Sequence, residues 1–274
     1  MNRTRPLALA ASALFLCTAL APSTATAGGW TQPSGGFYAK VWDRSLIGSK
    51  AYLASGEALE VDSFQDHALN LYGEYGLLDQ LTLVGFTTPV GWATYGEEST
   101  SYVGPSFVGA RWGLLQGAVP LAIEAHYGFA PSVGERDLAP LDPTLAYIPT
   151  VATQRVDGEL QVGYGLPGGW ATASVGARYF TADGLDPVLT ANAQLGYSSS
   201  FGIVAELHAG LARPFGDVEV TNVAGAGQTD YLGLGVGVSY WFNDHVGVSA
   251  GVDGVVYARS NAATPALTLG IEVK

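Results

Sequence analysis

The run HALNLYGEYGLLDQLTLVGF, residues 67–86, decides how the rest of the chain is read. Leu69, Leu71, Gly73, Tyr75 and Leu77 share one parity while Asn70, Tyr72 and Glu74 share the other, the period-2 pattern of a strand with one apolar and one wet face. A break at Leu78-Asp79-Gln80 leads into a second β-rich run, so the stretch reads as a hairpin with an aromatic, Tyr75, on the apolar face just before the turn. The same grammar returns over 108–129, 160–179, 189–211 and 232–256. One hairpin type repeated along a chain predicts an antiparallel barrel.

Alternation gives about twelve strands, over 36–43, 66–77, 80–89, 102–114, 119–130, 153–166, 169–181, 187–198, 201–212, 230–242, 245–257 and 265–274. Their connections alternate in length. Short ones fall at 78–80, 115–119, 167–169, 198–200 and Asn243-Asp244, and longer ones at 44–65, 90–101, 131–152, 182–186, 213–229 and 258–264. Short periplasmic turns and longer extracellular loops are the signature of an all-β, up-and-down transmembrane barrel whose termini share the periplasmic side. The run 81–88 shows no clear parity, and its faces are left unassigned.

Composition points the same way. Residues 1–27 read as a secretory signal peptide: Arg3 and Arg5 precede the apolar run from Leu7 to Leu20, and Ala25-Thr26-Ala27 offers a small-residue cleavage site. Export through the Sec route with cleavage after Ala27 would leave a single domain, 28–274. Cys17, the sole cysteine, would leave with the leader, and with it any disulfide, thiol nucleophile or cysteine-type metal site. The leader also removes two of 12 basic residues, leaving 10 against 24 acidic ones, a net charge of −14. Such a balance excludes nucleic acid as a partner. Yet 48% of residues are apolar and only 13% charged, and no later run is long and apolar enough for a spanning helix. An exported apolar chain of alternating strands fits the outer membrane, with lipid as its first partner.

The parity is cleanest where Leu232, Leu234, Val236, Val238 and Tyr240 alternate with Gly233, Gly235, Gly237 and Ser239. Aliphatic side chains here face lipid and almost nothing faces the lumen. Tyr75, Trp112, Tyr164, Tyr197 and Phe242 each stand on the apolar parity near a short turn, the position of an interfacial aromatic girdle. On the lumen parity stand Lys40, Glu74, Arg111, Glu124, His126, Arg155, Asp157, Glu159, Arg178, Glu206, His208, Asp253 and Glu272. Charges at membrane depth face water or one another, so they either brace the wall as ion pairs or line an acidic, cation-preferring pore. Glu124-Ala125-His126 and Glu206-Leu207-His208 repeat a Glu-x-His pattern. Their strands are four apart, however, and metal ligands must converge within ~2 Å of an ion, so no metal site is expected. No serine stands in a recognisable nucleophile setting, and Gly233 to Gly237 lacks the lysine and helix start of a phosphate loop, so neither an enzyme nor a cofactor is expected. The small lumen-facing residues cannot fill a wide interior. Water, the segment 28–35 or the loop 131–152 must occupy it.

The stretch Gly29-Trp30-Thr31-Gln32-Pro33, then Gly35-Gly36-Phe37-Tyr38, and the hairpin from Leu71 to Leu83 resemble outer-membrane barrels of the meta-pathway phenol-degradation transporter-like family. The resemblance is motif-like in the first third and architectural beyond it. It implies a channel or transporter for small solutes, hydrophobic or aromatic ones among them. The alternative is a non-transporting barrel with a structural or surface-interaction role in the envelope. One departure is the end of the chain, Ile271-Glu272-Val273-Lys274, where barrels of this kind often carry a terminal aromatic.

Overall fold

The computed structural model describes residues 29–274; the expected leader, its cleavage after Ala27 and Cys17 lie outside the described residues. Among the described residues the regular elements are strands: β1 Phe37–Tyr52, β2 Ala58–Leu78, β3 Leu81–Tyr95, β4 Glu98–Tyr102, β5 Ser106–Leu115, β6 Leu121–Ala130, β7 Thr153–Leu166, β8 Gly169–Phe180, β9 Val188–Ser198, β10 Ile203–Pro214, β11 Asp230–Trp241, β12 Val246–Arg259, β13 Asn261–Ala262 and β14 Ala266–Val273. Strand neighbours pair antiparallel. Lys40 of β1 stands opposite Tyr72 of β2 on one side and Glu272 of β14 on the other, which closes the sheet into a barrel. β4 prolongs β5 along β3, and β13 prolongs β14 along β1. Pro105 and Pro265 stand in the two gaps, where the missing N–H interrupts the ladder. The wall therefore has twelve staves and two short extensions.

Burial alternates along each stave as the sequence pattern requires. Leu83, Ile123, Leu160, Val175, Leu207, Leu234, Val236, Leu269 and Ile271 are exposed on the outer face, while Asn70, Glu74, Thr82, Arg111, Glu124, Gln161 and Glu272 are buried on the inner one. A continuous apolar exterior is costly in water and is solvated by lipid chains.

The sequence boundaries fail at the long-loop end. Residues 44–65 were expected as a loop, but β1 and β2 run on as a paired ladder from Arg44↔Ala68 to Tyr52↔Ala58, with an irregularity between Gly48 and Lys50. Likewise β3 continues to Tyr95 and turns back into β4 within the expected loop 90–101. The polarity of the wall reverses there. Leu46, Ala51, Phe64, Ala93 and Tyr95 are buried on the inner face, and Lys50 and Glu60 pair at 3.8 Å in solvent on the outer one. Above the lipid the outside is wet and the inside is a protein core, so the lipid-facing parity no longer marks the strand. The unassigned run 81–88 has a second cause. Its inner face carries Val84 and Phe86 beside Thr82 and Thr88, and the β2 register then slips between Leu69 and Leu71, so the outward parity changes from Leu83 to Val90 and Trp92.

Candidate functional site: the lumen and its two closures

A polar ladder climbs one side of the lumen from the short-turn end. Glu74 on β2 accepts from Tyr72 Oη at 2.5 Å and lies 3.0 Å from Arg111 Nη2 on β5. Arg111 Nε donates to Glu124 on β6, whose second oxygen is 2.6 Å from His126 Nε2. His126 Nδ1 is 4.0 Å from Asp157 on β7, and Asp157 in turn meets Arg155 at 3.2 Å and Arg178 of β8 at 3.1 Å. Arg111, Glu74 and Glu124 are about 95% or more buried, so each depends on the others. Removing one partner of such a group costs ~3–5 kcal/mol because the survivor remains a buried charge. Glu159 joins the ladder through Gln161, whose Nε2 donates to Glu159 at 2.8 Å and to Glu124 at 3.1 Å, and it also accepts from Ser174 Oγ at 2.9 Å.

The opposite side is looser. His208 on β10 sits between Glu206, 3.1 Å from Nδ1, and Asp253 of β12, which contacts Nε2. Lys40 pairs with Glu272 at 3.0 Å. The two Glu-x-His pairs are thus held in separate ion pairs on β6 and β10 and are not brought together.

Residues 29–36 fold inside the short-turn end, across the inner side of β2, β3, β5, β6 and β7. Trp30 rests on Gly163, where any side chain would collide with its ring, and its carbonyl accepts from Arg111 Nη1 at 3.1 Å. Gln32, itself buried, bonds Thr82 Oγ1 through its backbone N–H at 2.8 Å and Glu74 through Nε2 at 2.7 Å. Thr31 Oγ1 donates to the Asp79 carbonyl at 2.6 Å, and Asp79 accepts from the Ser34 N–H at 2.9 Å. The short-turn aspartate therefore clasps the plug. The plug motif was visible as Gly-Trp-Thr-Gln-Pro, but no pattern in it announces that its Gln meets Glu74.

At the other end the loops 131–152 and 215–229 close over the mouth. Tyr147 is fully buried between Phe64 and Tyr95, with ring centroids 5.7 and 5.3 Å away, amid Leu138, Leu145, Val223 and Ala262. Burial pushes its phenol pKa up, with the carboxylate of Asp66 adding to the shift. The two loops are tied by Ala146 N to Thr221 O at 2.8 Å and Val223 N to Ala146 O at 2.9 Å. Asn222 accepts from Ile148 N and donates to Ile148 O, each at 2.9 Å. Ser260, at φ 63, places its Oγ to accept the Asn222 N–H at 2.8 Å; a left-handed conformation at a residue other than glycine is held here by that bond.

Between plug and cap lie two cavities. One of about 600 Å³ reaches the short turns at Ser199 and Asp244 along β8 to β14, and one of about 730 Å³ lies above it, beneath Ala224 and Ala262. Tyr72, Arg111, Gln194, Glu206, His208 and Asp253 line both, so the cavities meet at one throat. The plug lies on the β2–β7 side, and the lower cavity runs along the other. Of the residues expected at the lumen, Lys40, Glu74, Arg111, Glu124, Glu159, Glu206, His208, Asp253 and Glu272 line one or both cavities. Arg155 and Arg178 line a side pocket near the mouth, while His126 and Asp157 link that pocket to the ladder. Tyr75, Trp112, Tyr164, Tyr197 and Phe242 are 43–60% exposed on the outer face beside the short turns.

One trio escaped the sequence reading, which placed His67 at a strand end. On the outer face Ser45 Oγ donates to Asp43 at 2.6 Å and lies 2.9 Å from His67 Nδ1, and Trp92 stacks on the imidazole. Both acidic and hydroxyl partners approach Nδ1, with Asp43 at 4.0 Å. A hydrolytic relay needs base and orienting group on opposite ring nitrogens, so this trio does not form one.

No protein-family model and no curated protein sequence matches the chain. Among solved structures it is similar to the COG4313 outer membrane channel from Pseudomonas putida F1, with a TM-score of 0.66 at 15% identity over 89% of this chain and 97% of that one. It is also similar to the NanC porin, TM-score 0.56 at 7% identity over 86% and 99%. The translocator domain of autotransporter NalP from Neisseria meningitidis gives 0.53 at 15% identity over 97% of both chains. At these identities the likeness shows the fold, that of outer-membrane β-barrels.

Proposed function

We propose that this protein is an outer-membrane channel for small solutes, exported with the loss of residues 1–27. The observation that carries the proposal is the throat shared by the two cavities, which leaves a polar route along β8 to β14 beside the plug. Solutes enter under the cap, pass His208, and leave between the plug and the turns at 198–200 and 243–244. With Arg111 already paired to Glu74 and Glu124, Glu206 and Asp253 against the imidazole of His208 make the throat acidic, which favours cations among permeating ions. The hydrophobic or aromatic solutes implied by the family resemblance fit this route as small molecules, since both cavities lie within the ordinary size of a ligand site, ~300–1,000 Å³.

The cap supports a second reading, a closed barrel that presents its folded loops outward. Purified protein in planar bilayers separates the two. Conduction with a reversal potential of cationic sign in a salt gradient is expected of the channel. Absence of conduction, together with no uptake of small hydrocarbons by cells carrying the protein, would leave the structural role.

A further inference from the structure

The side pocket at the mouth, of about 250 Å³, carries a charge that the protein does not balance. Arg155 and Arg178 reach it from adjacent strands and share one carboxylate, Asp157. Arg178 Nε donates to Asp157 Oδ1 at 3.1 Å. Arg155 Nε lies 3.2 Å from Oδ2 but off the axis of a hydrogen bond, and this buried N–H has no acceptor among the described residues. Its guanidinium is otherwise held by the Phe107 ring, 5.6 Å from the guanidinium carbon, a contact that steadies a cation without neutralising it. Other carboxylates on neighbouring segments face elsewhere: Glu135 accepts the Ala152 N–H and Asp186 accepts from Gln228. His126, the remaining titratable group against Asp157, faces Glu124 with its other ring nitrogen. Apart from the arginines, three threonines and Tyr231, the walls are largely apolar, with Pro149, Val151, Phe180, Leu185 and Val188 among them.

We infer that this pocket binds a small organic monocarboxylate, its carboxylate bridging Arg155 and Arg178 and its apolar body lying against Phe180, Leu185 and Val188. Arginine forks match a planar carboxylate, and an apolar pocket with a few converging polar groups is the usual form of a small-molecule site. A volume below the ordinary range restricts the body to a single ring or a short chain. The inference stands on the pocket itself and does not require the route below it to conduct.

The test is ¹⁹F NMR titration of 4-fluorobenzoate against the full-length mature protein in detergent micelles, with heat-modifiability on a gel confirming the fold of each variant. The carboxylate is expected to bind at least tenfold more tightly than 4-fluorobenzyl alcohol or 4-fluorobenzylamine, and fluoroacetate, which lacks the body, more weakly than 4-fluorobenzoate. Arg178→Gln should weaken binding at least tenfold. Asp157→Asn removes the competing carboxylate and should tighten it, an effect of opposite sign that general disruption of the wall would not give. Equal affinity for the acid and the alcohol, or binding that survives Arg178→Gln unchanged, would overturn the inference. So would weakening by Asp157→Asn in a variant that remains heat-modifiable.

Discussion

Tyr147→Ala should release the cap. The side chain is fully buried, and its ring packs on Phe64 and Tyr95 from the inner wall of the projecting strands. Truncating a buried aromatic to alanine costs ~3–5 kcal/mol, a figure that already includes the lost ring contacts and the cavity left behind. The remaining ties, the Ala146 to Thr221 and Val223 bonds and the Asn222 clasp on Ile148, do not involve the ring and stay intact. The loss thus falls on the equilibrium between closed and open cap rather than on the barrel. At ~1.4 kcal/mol per decade it raises the open population by roughly two to three and a half orders of magnitude. Hydrogen exchange at the amides of Ala146 and Val223 reads this directly, and their protection should fall by about that factor. Tyr147→Phe is the control. The hydroxyl is buried without a partner among the described residues, so its removal should leave protection unchanged or slightly higher. If the phenylalanine variant exchanges as fast as the alanine one, packing of the ring is not what holds the cap. If neither variant changes exchange, the cap is held by those hydrogen bonds alone.

Further outcomes follow from the wall and the throat. Val236→Arg, mid-strand on β11 and facing out, should impair insertion by ~2–4 kcal/mol, read as loss of heat-modifiable protein from outer membranes. Gly237→Arg, with nothing closer than 3.9 Å to a new Cβ, should insert normally; equal tolerance of both would mean the facing is wrong. Glu206→Gln with Asp253→Asn should shift the reversal potential toward zero at 0.1 M salt, and the shift should shrink near 1 M as the Debye length falls from ~10 to ~3 Å. An unchanged potential would remove those carboxylates from the conducting route. Gln32→Ala breaks the plug's side-chain bond to Glu74 and leaves that buried carboxylate one donor short, so open-channel noise in single-channel records should rise. Quiet records identical to wild type would show that Gln32 does not hold the plug.

The barrel was legible because lipid imposes one rule on every stave: the strand from Leu232 to Tyr240 can be faced correctly from its spelling alone. The rule lapses where the solvent changes. At Lys50, Phe64 and Tyr95 the outer face is in water and the inner face is a small core, so apolar and polar positions trade places and the extended wall passed for loop. Position also escapes parity when neighbours compete for space. Gly235 looks like an empty lumen position, tolerant of arginine, but the His208 and Asp253 side chains occupy that space and a Cβ there would collide with both. Charged candidates could be placed on the inner face, yet their pairing depends on register between strands, which the spelling of one strand does not contain. Glu124 and Glu206 share the Glu-x-His spelling, yet Glu124 is buried against Arg111, whereas Glu206 reaches both cavities. The plug and cap contacts, Gln32 with Glu74 and Ala146 with Thr221, join segments far apart in sequence and carry no periodic signal.

The central claim is that a route runs beside the plug along β8 to β14. It is tested most directly by single-channel conductance of the mature protein and of a variant lacking residues 29–35, measured in the same bilayers. A beside-the-plug route predicts a small, steady conductance in the intact protein and a larger one in the variant, with cation preference kept in both because Glu206 and Asp253 remain. No conductance in the intact protein, with conductance appearing only when the segment is removed, would contradict it and make the plug a complete closure.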